Sequence, residues 1–108
     1  MHKKMDLTYQ RPDEIVAQLC TRLRQERLAQ HMTQAEVAAR AGIGVNTLSN
    51  LESGRNTSFE SVVRVAVVLG RSAELAALFQ PRLDSLDDML RYEASAQRRR
   101  IKRQASRA

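Results

Sequence analysis

A chain of 108 residues has room for one small domain and an extension, and at 28% charged and 43% hydrophobic residues its balance is that of an ordinary soluble protein. No apolar run approaches the ~20 residues that cross a bilayer, so no membrane span is expected. The net charge of +6 says less about the whole than it suggests. Arg98, Arg99, Arg100, Lys102, Arg103 and Arg107 lie within residues 98–107 with no acid among them, and the rest of the chain carries as many bases as acids. A cationic end of this kind suits a polyanion or an acidic protein face, or is simply a solvated terminus. Residues 1–6, Met-His-Lys-Lys-Met-Asp, lead into polar positions, so no secretory leader is expected. One cysteine, Cys20, suits a reducing compartment. Cys20, His2 and His31 form no metal-ligand cluster. Cys20, His31, Asp87 and Asp88 lack the spacing that assembles a nucleophile, base and acid. No cofactor, metal or catalytic activity is expected.

In chain order, residues 1–11 read as an arm. Pro12 then fits a first helical turn, and Asp13 and Glu14 complement its positive end. Ile15, Val16, Leu19, Leu23 and Arg27 recur at three- and four-residue steps toward His31, with Cys20 beside the stripe as a core thiol. Thr33-Gln34-Ala35-Glu36 has the spacing of a capping box and opens a helix through Arg40, after which Gly42 suits a left-handed turn. Residues 44–53 fit another short helix with Leu48 and Leu51 inward, closed by Gly54-Arg55-Asn56. Residues 62–69 are rich in β-branched side chains, as a strand would be. Thr57 and Ser58 as caps, Gly70 as a stop, and the stripe Val62, Val65, Ala66 and Leu69 predict a helix instead. Ser72 is expected to cap a fifth helix over residues 73–79. Beyond Pro81, Leu83, Leu86, Met89 and Leu90 share a face of an acidic-apolar extension over residues 81–93. Residues 94–108 are expected to form a basic tail without stable structure.

The second and third helices carry the functional signal. Two short helices joined by a glycine turn inside a helical bundle have the form of a helix-turn-helix. Ala38 is small where the pair must cross. Val37, Ala41, Ile43, Leu48 and Leu51 are apolar where the pair must meet a core. The other face of the third helix offers Val45, Asn46, Thr47, Ser49 and Asn50, short polar groups and one aliphatic that suit base edges and thymine methyls.

The runs Thr33-Gln34-Ala35-Glu36-Val37-Ala38-Ala39-Arg40-Ala41-Gly42-Ile43 and Thr47-Leu48-Ser49-Asn50-Leu51-Glu52-Ser53-Gly54 resemble the Xre/Cro-CI family of phage-repressor-like DNA-binding domains, over roughly residues 14–79. The resemblance implies an all-α fold, a five-helix repressor-like helix-turn-helix bundle over residues 12–80 with a C-terminal extension. It implies a sequence-specific transcriptional regulator that places residues 44–53 in the major groove. Gln34 then resembles a phosphate anchor, Val45, Asn46, Thr47 and Asn50 occupy base-reading positions with Ser49 close by, and Arg55 and Asn56 resemble backbone contacts. Arg27 and Glu52 match a pair the family often joins, a structural, partly buried ion pair. His31 stands where a glycine often closes the first helix, which leaves room for a different turn. Val45 replaces a frequent polar or basic reader.

A body neutral overall implies modest affinity from one copy, so a homodimer on a palindromic double-stranded operator is expected, its half-sites about 34 Å apart. Leu75, Leu78 and Phe79 form a candidate dimer surface, with core burial of Leu75 and Leu78 an equal reading. More narrowly, one such domain followed by the acidic-apolar segment and the arginine run is similar to HipB-type antitoxins. That likeness implies autorepression and a complex with a HipA-like serine/threonine kinase toxin, with a further module component in split systems, in a cytoplasmic, nucleoid-associated setting. Leu83, Leu86, Met89 and Leu90 are then the candidate partner-binding residues. Arg98, Arg99, Arg100, Lys102 and Arg103 become candidate phosphate contacts. The competing readings are a stand-alone or phage-type repressor and a protein-interaction module in which DNA binding is secondary.

Overall fold

Helix α1 (Pro12–Ala29) begins where a proline loses nothing by lacking an N–H, and Asp13 and Glu14 sit in its first turn. The structure is a computed structural model. It describes residues 10–106, with side chains as far as Lys102, so most of the N-terminal arm, the side chain of Arg103 and all of Arg107 lie outside the described residues. The described residues are helices and connecting turns, with no strand among them: α1, α2 (Gln34–Ala41), α3 (Val45–Glu52), α4 (Phe59–Val68), α5 (Ser72–Ala77) and α6 (Leu86–Ser106). The chain divides after Ala76 into two compact units.

In the first unit, α1 and α2 both pack on α3 and α4, and α2 packs on α3. Cys20, Val37, Ala38, Ala41, Leu48, Leu51, Val65 and Leu69 form its core, with Leu23, Met32, Ile43, Val62 and Val68 packed around them. Burial pushes the Cys20 thiol above its ordinary value and keeps it protonated. The capping box at α2 is complete. Thr33 Oγ1 accepts the Glu36 amide at 3.1 Å, and Glu36 Oε1 accepts the Thr33 amide at 3.4 Å. The valine-rich run is helical because Ser58 Oγ caps it, accepting the Ser61 amide at 3.1 Å, and because the faces it meets are helices that bury Val65 and Ala66.

The turn after α1 is a glycine's turn made by a histidine. His31 has φ 56°, its amide donates to the Leu28 carbonyl at 3.0 Å, and the Met32 amide donates to the Arg27 carbonyl at 3.2 Å. That pair of bonds is a Schellman closure. Holding an L-residue left-handed costs ~1–2 kcal/mol, of which the looser unfolded glycine chain returns ~0.5–1 kcal/mol. His31→Gly is therefore expected to stabilise the domain by up to about 1 kcal/mol, seen as a melting point raised by a few degrees. A lowered melting point would show that the imidazole contributes something a glycine cannot.

Two helix ends differ from those the sequence predicts. Helix α5 starts at Ser72 itself and stops at Ala77. In the second unit, Leu78 and Phe79 thus lie past its end, Phe79 with φ 55° and 91% exposed. The larger difference is α6. It continues to Ser106, through the residues read as an unstructured tail and well past the segment read as a short helix. Apolar residues are scarce here, but helix propensity is high. No glycine or proline follows Pro81, and the run is dominated by Arg, Ala, Gln and Leu. Ser85 Oγ accepts the Asp88 amide at 3.1 Å, Asp87 and Asp88 occupy the first turn, and cations occupy the later ones.

Candidate nucleic-acid interface

The interface is built on an ion pair that fixes α3 from behind. The Arg27 guanidinium, near the end of α1, donates from Nε to Glu52 Oε2 at 2.6 Å and from Nη2 to Glu52 Oε1 at 2.9 Å. Its Nη1 donates to the Met32 carbonyl at 2.8 Å, and Gln34 Nε2 donates to Glu52 Oε1 at 3.0 Å. The two side chains are 8% and 4% exposed, so the pair is buried rather than partly buried. The Glu52 hydrogen bond is the main cause holding the Arg27 pKa above its ordinary value, against desolvation. Desolvation pushes the Glu52 carboxyl up, but hydrogen bonds from Arg27 and Gln34 with the charges of Arg27 and Arg24 outweigh it, so the carboxyl lies below its ordinary value. A bidentate pair with its remaining atoms bonded is the geometry in which a buried charge is tolerated.

The turn between α2 and α3 is held by residues of both conformational and electrostatic kind. Gly42 has φ 70° and sits 3.3 Å, measured from the Cβ it lacks, from Arg64 Nη1, which itself donates to the Ala41 carbonyl at 3.2 Å. An alanine there meets both a left-handed backbone and a crowded guanidinium. Arg64 went unread in the sequence because its partner carbonyl lies 23 residues away with no periodic signal. After α3, Gly54 with φ 72° presses on α1, where an added Cβ would come within 3.0 Å of Ala17 Cα. Arg55 and Asn56 follow this glycine, both exposed, the latter with φ 44°.

With Leu48, Leu51 and Glu52 turned inward, α3 turns Val45, Asn46 and Thr47 to solvent and leaves Ser49 and Asn50 half-buried. Among the described residues no hydrogen bond engages the Asn46 or Asn50 carboxamide. One turn apart, both lie on the same edge of the helix, and each can offer a donor and an acceptor to an adenine edge. Val45, 46% exposed, offers a methyl surface. Gln34 is half-buried at the first turn of α2. One amide proton is used on Glu52, which leaves the second for an acceptor such as a phosphate oxygen.

The other predicted residues lie on α5 and in the second unit. Leu75 is half-buried on α5. Described within the second unit, Leu83 precedes α6, while Leu86, Met89 and Leu90 lie on its first turns, all exposed. Arg98, Arg99, Arg100 and Lys102 are exposed farther along the same helix. Among the described residues no group of three or more His, Cys, Asp or Glu side chains is placed to hold a metal ion, and no helix is long and apolar enough to cross a membrane.

Comparison with known proteins agrees with the fold. No curated protein matches the chain. Residues 23–75 match the helix-turn-helix family model, a span that takes in the end of α1, the whole of α2 to α4 and most of α5. Residues 23–75, just under half of the chain, are thus similar to helix-turn-helix domains of the Xre/Cro-CI-like kind, a DNA-binding family.

Proposed function

We propose that this chain is a DNA-binding transcriptional regulator that binds a palindromic operator as a homodimer and represses transcription, its own operon included, by laying α3 in the major groove. The observation that supports it is the outward face of α3. Val45, Asn46 and Thr47 are exposed, Ser49 and Asn50 half-buried, and together they carry the donors, acceptors and methyls that read bases. Gln34, Arg55 and Asn56 flank that face as phosphate contacts that set its register. A pool of random duplexes passed over the protein is expected to yield one preferred, two-fold symmetric site. Affinity for that site is expected to fall steeply with salt, with a log–log slope of about −0.9 per phosphate neutralised. Removing residues 98–108 reduces the slope if the arginine run meets phosphates. Recovery of no preferred duplex would overturn the reading.

The narrower form is a HipB-type antitoxin that also binds a HipA-like serine/threonine kinase, with a further component in a split module. Its support is the resemblance in element order and the exposed Leu83, Leu86, Met89 and Leu90, which a protein partner would cover. Co-purification of a kinase encoded beside this gene, lost on truncation after Gln80 while operator binding persists, is the expected result. Operator binding with no kinase retained leaves a stand-alone repressor. Kinase retained by a protein that selects no duplex favours an interaction module.

A further inference from the structure

Helix α6 has a charge and apolar pattern that DNA contact does not explain. Leu86, Leu90, Ala94, Gln97 and Ile101 follow one another at steps of four, four, three and four, so they form one narrow stripe along the helix. Leu86, Leu90 and Ile101 are 71%, 53% and 63% exposed. Charges divide by halves. Asp84, Asp87, Asp88 and Glu93 precede or occupy the first half against Arg82 and Arg91, and Arg98, Arg99, Arg100 and Lys102 occupy the second with no acid. The helix dipole accounts for charges only in the first and last turns. Glu93 and Arg98 to Arg100 lie well inside those limits. A polyanion lying along α6 would attract its second half and be repelled by its first.

We propose that α6 pairs with α6 of a second copy of this chain, antiparallel, stripe against stripe. Only the antiparallel arrangement sets each acidic half beside the other copy's basic half. The flanks agree with it. Asp87 and Arg98, eleven residues or about three turns apart, lie along one edge of the stripe, and Glu93 and Arg100, seven residues apart, lie along the other. Antiparallel packing brings like edges together, so Asp87 meets the edge that carries Arg98 of the second copy, and Glu93 the edge that carries Arg100. A parallel pair would set acid beside acid and base beside base. The proposal rests on the homodimer of the operator reading but on none of its DNA contacts, and it places the contact on α6 in preference to Leu75, Leu78 and Phe79.

Sedimentation of the full-length protein without DNA tests it. The wild type is expected to associate, and Asp87→Lys/Glu93→Lys and Arg98→Glu/Arg100→Glu are each expected to lower the association constant at least tenfold. An equimolar mixture of the two variants is expected to recover wild-type association as a mixed dimer. High salt weakens the wild type in the same assay. A dimer indifferent to both variants overturns the proposal and leaves the operator reading intact. Loss in both variants without recovery on mixing also overturns it, because a helix that binds some other partner has no reason to be rescued by its own reversed copy. A monomer at every concentration overturns both this contact and the homodimer of the operator reading.

Discussion

Glu52→Ala is expected to destabilise the domain by about 3–5 kcal/mol, the cost of stranding a buried charge. Domains of this size have ~5–15 kcal/mol in total, so the variant is at best marginally folded at 37 °C. Arg27 loses its two partners on Glu52 and keeps the Met32 carbonyl, while Gln34 loses the acceptor of its Nε2. Removing both charges is milder than removing either. Arg27→Met/Glu52→Leu is expected to be more stable than each single loss, although the Met32 carbonyl then needs water or a new donor at a cost of ~1–3 kcal/mol. Urea unfolding of Glu52→Ala, Arg27→Met and Arg27→Met/Glu52→Leu reads these differences directly. A loss under about 1 kcal/mol for Glu52→Ala would show a solvated pair in solution. The same site sets acid sensitivity. The Glu52 carboxyl is lowered in the fold, so its stabilisation is complete above the unfolded value of about 4.3 and is lost as pH falls below that toward the native value. Glu52→Gln is expected to flatten the pH dependence of stability in that acid range.

This pair also marks the boundary of what the residues disclose before folding. Arg27 and Glu52 are 25 positions apart, and no local periodicity joins them; resemblance to a family supplies the pairing. The depth of burial and the roles of Met32 and Gln34 depend on where the end of α1, the start of α2 and the end of α3 converge, which is a tertiary matter. The valine-rich run is the opposite case. Its composition favours a strand, yet the local signs at Ser58 and Gly70 and the stripe Val62, Val65, Ala66 and Leu69 favour a helix. They prevail because the surrounding elements offer helical faces and no sheet edge to pair with. His31 shows a limit of residue-type reasoning. A left-handed turn is set by the hydrogen bonds of the helix end, and those bonds hold even a residue that tolerates it poorly. The reading of α6 fails for a different reason. Few apolar residues lie on α6 and none of those among the described residues is buried, yet a long run of strong helix formers without glycine or proline favours a helix by propensity alone. For the interface, periodicity alone separates Leu48 and Leu51 from Asn46 and Asn50, so which side chains face out is legible. What they bind is not contained in the pattern.

The double variant Asn46→Ala/Asn50→Ala is expected to fold normally and to lose at least tenfold of its preference for the selected duplex over unrelated sequence. Each bidentate contact to a base is worth ~1–3 kcal/mol of discrimination, and two neighbours one turn apart do not add fully. Stability cannot account for the loss. Alanine is the better helix former at both positions, and among the described residues neither carboxamide holds a hydrogen bond that the fold would miss. The control that isolates base reading is salt. Neither asparagine neutralises a phosphate, so the slope of log affinity against log salt is expected to stay at the wild-type value on both duplexes. Arg55→Ala behaves in the reverse way, weakening binding to every sequence together and lowering the slope by about 1. If the asparagine variant falls in parallel on cognate and unrelated DNA, those side chains position the protein and do not read it. Discrimination then has to come from Val45, Thr47 and Ser49, or from the bend of the duplex under α3.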